Sequence, residues 1–390
     1  MQIDRRQFMV AAAGASAILA FPELASGRTM ARYAYVGSYT KDPPGGGSDN
    51  PVGLSVFRVD PDTGAFTLIQ QVPSANPSFV ALHPSGSFLY VVNEIDDYQG
   101  GKAGSAEAYA ISPGTGTISL LNRQSVVGHI PAHLAVDPSG RHLVVANYMG
   151  GNFVALPIEA DGRLGPASGE FMNKGSGPNP ERQEAPHPHA VTFDPAGRYI
   201  ATADLGIDKV QILRLEGGRL FLVSEASMAP GAGPRHVAFH RDGRILYVLN
   251  ELNATITALE YDPATGELGR GLQTVRTEPA GYAGPQSTAE IAVHPDGRFL
   301  YASNRGHDSI ASFGIDASSG LLSPIGHTTA GIAFPRNFAI DPGGTWLYVA
   351  NQKGDDIVQF RIDRESGRLT PTGTVTRSIT PVAIVFRPAG

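Results

Sequence analysis

Five short apolar runs in this chain carry, near their starts, side chains able to do chemistry. PAHLAVDP from 131 holds His133, PHAVTFDP from 188 holds His189, and PRHVAFHR from 234 holds Arg235 and His236. TAEIAVHP from 288 holds Glu290, and PRNFAIDP from 335 holds Arg336 and Asn337. Imidazoles and a carboxylate move protons near neutral pH, and a guanidinium fork matches the oxygens of a carboxylate or phosphate. Glu94, Asn147, Glu251, Asn304 and Arg305 end the apolar runs that follow. Brought to one concave mouth, such a set suits an anionic or polar small molecule. The residues are far apart in the chain, so only a fold that returns to the same place many times can gather them.

The chain has such a rhythm. HPDGRFLYASNR at 294 has counterparts in HPSGSFLYVVNE at 83, DPSGRHLVVANY at 137, DPAGRYIATADL at 194, HRDGRILYVLNE at 240 and DPGGTWLYVANQ at 341, a period of about 50 residues. Each copy reads as an apolar strand, a tight Gly-containing turn and a second strand, with PSFVALHP from 77 and PVAIVFRP from 381 completing seven first strands. A third strand of the GLSVFRVD and DIVQFRID type follows, and turns such as DPDTG lead to a fourth, more polar one. Seven sets of four antiparallel strands predict an all-β, seven-bladed propeller. PVAIVFRP has no second strand after it and YAYVGSYT at 33 has no first strand before it, so the two ends should complete one blade.

In such a blade the start of the first strand and the end of the second lie on the same face. The four longest loops fall there too: YTKDPPGGGSDNP at 39, EIDDYQGGKAGSAE at 94, NKGSGPNPERQEAPHP at 173 and RTEPAGYAGPQSTAE at 276. That face is the expected site. The second-strand Asn column (Asn93, Asn147, Asn250, Asn304, Asn351) also has a structural reading, as caps on the following turn. His83, His240 and His294 open the opposite-face turns where Asp137, Asp194 and Asp341 also serve, and read as structural.

With 390 residues, 42% hydrophobic and 17% charged, the chain can bury a large core. A net charge of -6 without a basic surplus gives no nucleic-acid footprint. The absence of cysteine excludes disulfides, thiol nucleophiles and thiolate metal sites. No G-x-S-x-G elbow, Walker loop or dinucleotide fingerprint occurs where its chemistry needs it. The opening MQIDRRQFMVAAAGASAILAFPELASG pairs Arg5 and Arg6 with Phe8 and an apolar run too short to span a membrane, and resembles a twin-arginine export signal. The expectation is a leader over 1–27 and one propeller domain over 28–390, periplasmic in its mature form, or cytoplasmic should the leader not act as one.

PHPHAVTFDPAGRYI, GPRHVAFHRDGRILYVLNE, STAEIAVHPDGRFLYASNRGHDSI and PRNFAIDPGGTWLYVANQ together resemble the seven-bladed propeller lactonases, the 6-phosphogluconolactonase family that includes carboxymuconate cyclases. The resemblance runs over most of 32–388 and implies hydrolysis of a sugar δ-lactone. On that reading Glu290 or His236 activates water, Arg235 or Arg336 holds an oxyanion or substrate anion, and His189 protonates the departing ring oxygen. His133, Arg336, Asn337, Arg305, Asn304 and Glu251 contact substrate. An export leader is unexpected for a cytosolic phosphosugar enzyme, which leaves the phosphate open. No cofactor or metal is expected, and the chain should act as a monomer on a small lactone or other anion. A carboxymuconate-type cycloisomerase and a non-enzymatic periplasmic binding propeller remain as alternatives.

Overall fold

A computed structural model describes residues 31–388; the expected leader and the start of the mature chain lie outside them. The described residues form seven four-stranded antiparallel sheets. Their innermost strands are Pro77–Leu82, Pro131–Val136, Pro188–Phe193, Pro234–Phe239, Thr288–Val293, Pro335–Ile340 and Pro381–Pro388. Each packs against the next, and Pro381–Pro388 packs against Pro77–Leu82, so the ring closes. We number the blades from the one containing Ala31–Ser38, and letter their strands A to D from the axis outward.

Blade 1 is completed as expected. Pro381–Pro388 supplies its strand A and pairs with Ala31–Ser38, Val385 facing Tyr35, before Gly53–Val59 and Phe66–Pro73 continue outward. Joining the first and last described strands in one sheet pairs the inner edge of Ala31–Ser38.

The recurrent LYV segment explains the spacing between blades. Strand B is buried on both faces, as Leu89, Tyr90, Val91 and Val92 show at 0% exposure, so it must be apolar on alternate positions in both directions. Its tyrosine hydroxyl is polar and needs a partner. Tyr35, Tyr90, Tyr247, Tyr301 and Tyr348 each donate to a glycine carbonyl in the C–D turn of the following blade: Gly116, Gly162, Gly320, Gly367 and Gly64. The same column holds Val144 and Ala201 in blades 3 and 4, where Ser168 Oγ to Gly218 O and Tyr199 OH to Ala264 O link neighbours instead. Apolar clusters likewise span pairs of blades, Tyr35 and Val56 packing with Val80 and Val91.

The opposite-face turns confirm the structural reading of their histidines. His83 Nε2 meets Gly140 O at 3.0 Å and His294 Nε2 meets Gly344 O at 2.9 Å, each reaching into the next blade's turn.

Candidate functional site

Strand geometry alone would send adjacent side chains to opposite faces. Yet Arg235 and His236 both face the axial channel. The reason is a register shift at the top of every inner strand, between Pro77 and Phe79, Pro131 and His133, Pro188 and Ala190, Pro234 and His236, Thr288 and Ile291, and Pro335 and Asn337, with a matching one opposite Pro381. A bulge opposes two residues to one and re-aims the extra side chain. Six of the strands open on proline, which suits a first strand position because it lacks the N–H. Before it the chain takes a left-handed conformation at Asn76, Ile130, Gly233, Phe334 and Thr380. For the β-branched Ile130, at φ 53°, that is a strained geometry, and Ile130 lines the cavity described next.

The top mouth holds a cavity of about 470 Å³. Glu94, His189, Glu251, Arg305 and Arg336, all expected at the mouth, line it together with Tyr148, Arg182 and Phe334. The long loops form its walls through Pro44, Gly45, Arg182 and Ser287. Gly306, next to Arg305, sets one wall: a Cβ there would lie 1.8 Å from Pro285 O, so only glycine lets the loop before Ser287 come so close. Beneath the cavity is a niche of about 10 Å³ bounded by Arg235, His236 and Asn337. His189 and Arg336 line both spaces.

Glu251 is the electrostatic hub. Its Oε2 accepts from Arg235 Nε at 2.8 Å and lies 3.0 Å from Arg305 Nη2, while Oε1 accepts from Arg182 Nη2 at 2.8 Å. Burial alone would raise its pKa; Arg305, Arg235 and Arg182 outweigh that and hold it at about 2. It is therefore a fixed anion rather than a base. Arg235 is 2% exposed, and burial beside Arg305 pushes it down to about 9. Arg336 stacks over the Tyr39 ring and stands 3.7 Å from Glu94 Oε2, which also accepts from Tyr39 OH at 2.7 Å.

A second group lies below. His236 Nδ1 is 2.9 Å from Glu290 Oε1, Ile291 N–H donates to the same oxygen, and Asn337 Nδ2 donates to Oε2 at 2.6 Å. Burial raises Glu290 to about 7. Burial also drives His133, His189 and His236 well below the usual imidazole range, helped at His189 and His236 by the Arg235 charge. All three are neutral at pH 7. With Arg235 Nη1 3.3 Å from its Nε2, His236 carries its proton on Nδ1, towards Glu290. His189 Nδ1 and Arg305 Nε are buried without a hydrogen-bond partner among the described residues.

Two expected substrate contacts take other places. Asn304 is 0% exposed, and its amide donates to Thr277 O and Ser309 Oγ, tying the preceding connection to the following turn; it does not reach the cavity. His133 is packed between Phe79 and His236, ring centroids at 3.9 and 5.1 Å, and borders neither space. Glu290 touches the niche through His236 and Asn337. The sequence reading passed over Tyr39, Tyr148 and Arg182. Only Arg182 left a trace, as the single arginine of a long Gly- and Pro-rich loop on that face. Among the described residues no three His, Asp or Glu side chains converge as a metal-binding group, and no helix is long and apolar enough to cross a membrane.

A closed ring of seven four-stranded blades, with guanidinium, carboxylate and imidazole groups drawn to one mouth, defines a seven-bladed β-propeller with a polar, arginine-lined cup. The chain belongs to the seven-bladed β-propeller lactonase family, whose model matches residues 33–386. It is 38% identical over 311 residues to a 6-phosphogluconolactonase of Bacillus subtilis, covering 79% of this chain and 85% of that protein. A 6-phosphogluconolactonase of Formosa agariphila is 36% identical, covering 78% and 85%. The solved periplasmic gluconolactonase of Pseudomonas aeruginosa superposes with a TM-score of 0.82 at 31% identity, covering 91% of this chain and 98% of that one. These relationships support a lactone hydrolase.

Proposed function

We propose that this protein hydrolyses an aldono-δ-lactone of the 6-phosphogluconolactone type in the top-face cup. The observation that carries the reading is that His189 and Arg336 border both the cavity and the niche below it. A niche of about 10 Å³ has room for about one water molecule, and the cavity above it has room for a sugar ring. A water there lies beside the His236–Glu290 pair, with the substrate carbonyl overhead.

The chemistry follows the logic of an oriented imidazole. Neutral His236 accepts the water proton as the water oxygen bonds to the carbonyl carbon, and ionised Glu290 stabilises the resulting imidazolium. Arg336, stacked on Tyr39 and 3.7 Å from Glu94, keeps N–H donors for the oxygen that gains charge. When the ring C–O bond breaks, His236 returns the proton to the departing oxygen, giving an aldonic acid with a free hydroxyl, which releases its carboxyl proton to water as the aldonate. Burial keeps His189 neutral, so it serves as a hydrogen-bonding group to the substrate rather than as the acid.

The periplasm is part of this proposal. It is supported by the Arg5-Arg6 leader and by the location named for the Pseudomonas aeruginosa relative. Purified protein assayed against gluconolactone, its 6-phosphate and carboxymuconolactone should hydrolyse a gluconolactone. Turnover of the carboxymuconolactone alone would assign the cycloisomerase class, and silence with all three would leave a binding propeller. Protein recovered from the cell envelope should begin near residue 28; an intact Met1 there would remove the export reading.

A further inference from the structure

Arg182 differs from the other guanidiniums of the cup. The side chains of Arg305 and Arg336 are 7% and 10% exposed and that of Arg235 is 2%, whereas that of Arg182 is 41% exposed and stands at the mouth. One nitrogen does all its internal bonding: Nη2 donates to Glu251 Oε1 and to Tyr148 OH at 3.3 Å. Its Nε and Nη1 have no hydrogen-bond partner among the described residues, leaving their N–H donors available to a ligand.

The loop that carries it is built to hold it there. Its neighbour Gln183 is 0% exposed; the Gln183 amide donates to Leu205 O and Asp208 Oδ1, and its oxygen accepts from Asn179 N. Asp204, also buried, fixes both ends of the segment by accepting from Asn173 Nδ2 and His187 N. Arg182 is thus a long cationic arm on an ordered base, and little freedom is lost when it binds. Charge points the same way. Arg182, Arg235, Arg305 and Arg336 face Glu94 and Glu251, so the cup keeps a positive excess that an anion would neutralise.

We propose that Arg182 is a specificity-determining residue: it reads an anionic group at the solvent end of the lactone, a phosphate or carboxylate remote from the reacting carbonyl. The inference rests on the lactonase reading and adds where the substrate's charge lies. The reacting end is placed over the niche by His189 and Arg336, and the charged end extends towards the mouth, where Arg182 offers its unpaired Nε and Nη1 donors.

The test compares Arg182→Gln, Arg182→Lys and the parent on 6-phosphogluconolactone and on neutral gluconolactone. Arg182→Gln should lower the ratio of kcat/KM for the phosphorylated over the neutral lactone at least tenfold, mainly through KM, and Arg182→Lys should restore part of it. Added salt should weaken the parent's preference. An equal loss on both lactones, as expected if Arg182 only buttresses Glu251, would overturn the inference. Calorimetry with 6-phosphogluconate and gluconate separates this from the activity itself. If no lactone is hydrolysed, the proposed function fails, but a preference for the phosphorylated acid that Arg182→Gln abolishes would still establish the subsite. An unaltered preference would refute it.

Discussion

His236 Nδ1 lies 2.9 Å from Glu290 Oε1, although the two residues come from neighbouring blades. The contact extends around the axis. Glu290 accepts from Asn337 in blade 7, and Asn337 Oδ1 accepts from Ile384 N at 3.0 Å in blade 1, so one hydrogen-bonded arc runs through four blades. The arc fixes the imidazole with its Nε2 edge, shared with Arg235 Nη1, at the niche.

Removing either half of the pair should remove the base. Glu290→Gln keeps the shape and loses the anion, while His236→Ala loses the proton acceptor. Each should lower kcat about a hundredfold or more, within the range general-base loss produces, with melting temperatures close to the parent's. Full activity in both variants would place the base elsewhere in the cup.

The pH dependence has a definite sign. Burial raises Glu290 to about 7, so on acidification it takes up a proton near neutrality and ceases to stabilise an imidazolium on His236. After subtraction of spontaneous hydrolysis, kcat/KM should be level above about 7 and fall about tenfold per pH unit below it. Asn337→Asp places a second carboxylate beside Glu290 and should move that fall to higher pH. A profile that Asn337→Asp and Glu290→Gln leave unaltered would assign the limb to another group.

Glu251 should matter for folding as well as binding. Its carboxylate, 3% exposed, is shared by Arg235, Arg305 and Arg182, and two of those guanidiniums are buried. Glu251→Ala leaves Arg235 and Arg305 without their counter-ion, a change of about 3–5 kcal/mol by the usual penalty for breaking a buried pair. Chemical denaturation should show the loss directly. A variant as stable as the parent would mean that water or relaxation compensates both arginines.

The repeat made most of the fold legible. Each tight turn and each LYV segment is set by local residues, so blade number and the joining of the termini could be read from spacing alone. The cup was legible only in part. His189, Glu251, Arg305, Arg336 and Glu94 line the cup because strand ends of a propeller must meet at the axis. Asn304 and His133 lie off the cup because a strand-end position says which rim a residue occupies, not whether its side chain turns to a neighbouring carbonyl or packs under a phenyl ring. Arg182 and Tyr39 escaped because loop residues have no repeat column to mark them. The bulges that let adjacent residues share the channel leave no composition signal beyond the leading prolines.

The closing strand ties these levels together. Pro381–Pro388 gives blade 1 its inner strand, packs against the inner strands of blades 2 and 7, and supplies the Ile384 N–H at the end of the arc. A chain ending at residue 380 would expose the inner edge of Ala31–Ser38, open the ring and free Asn337 from its anchor, so stability and activity should fall together. Because the lost element is a strand, a synthetic peptide of residues 381–388 has a defined edge to pair with and should restore part of both. Melting of the shortened chain with and without peptide, alongside lactone turnover, reads the two effects. An undiminished melting temperature in the shortened chain would show that the ring holds without its clasp.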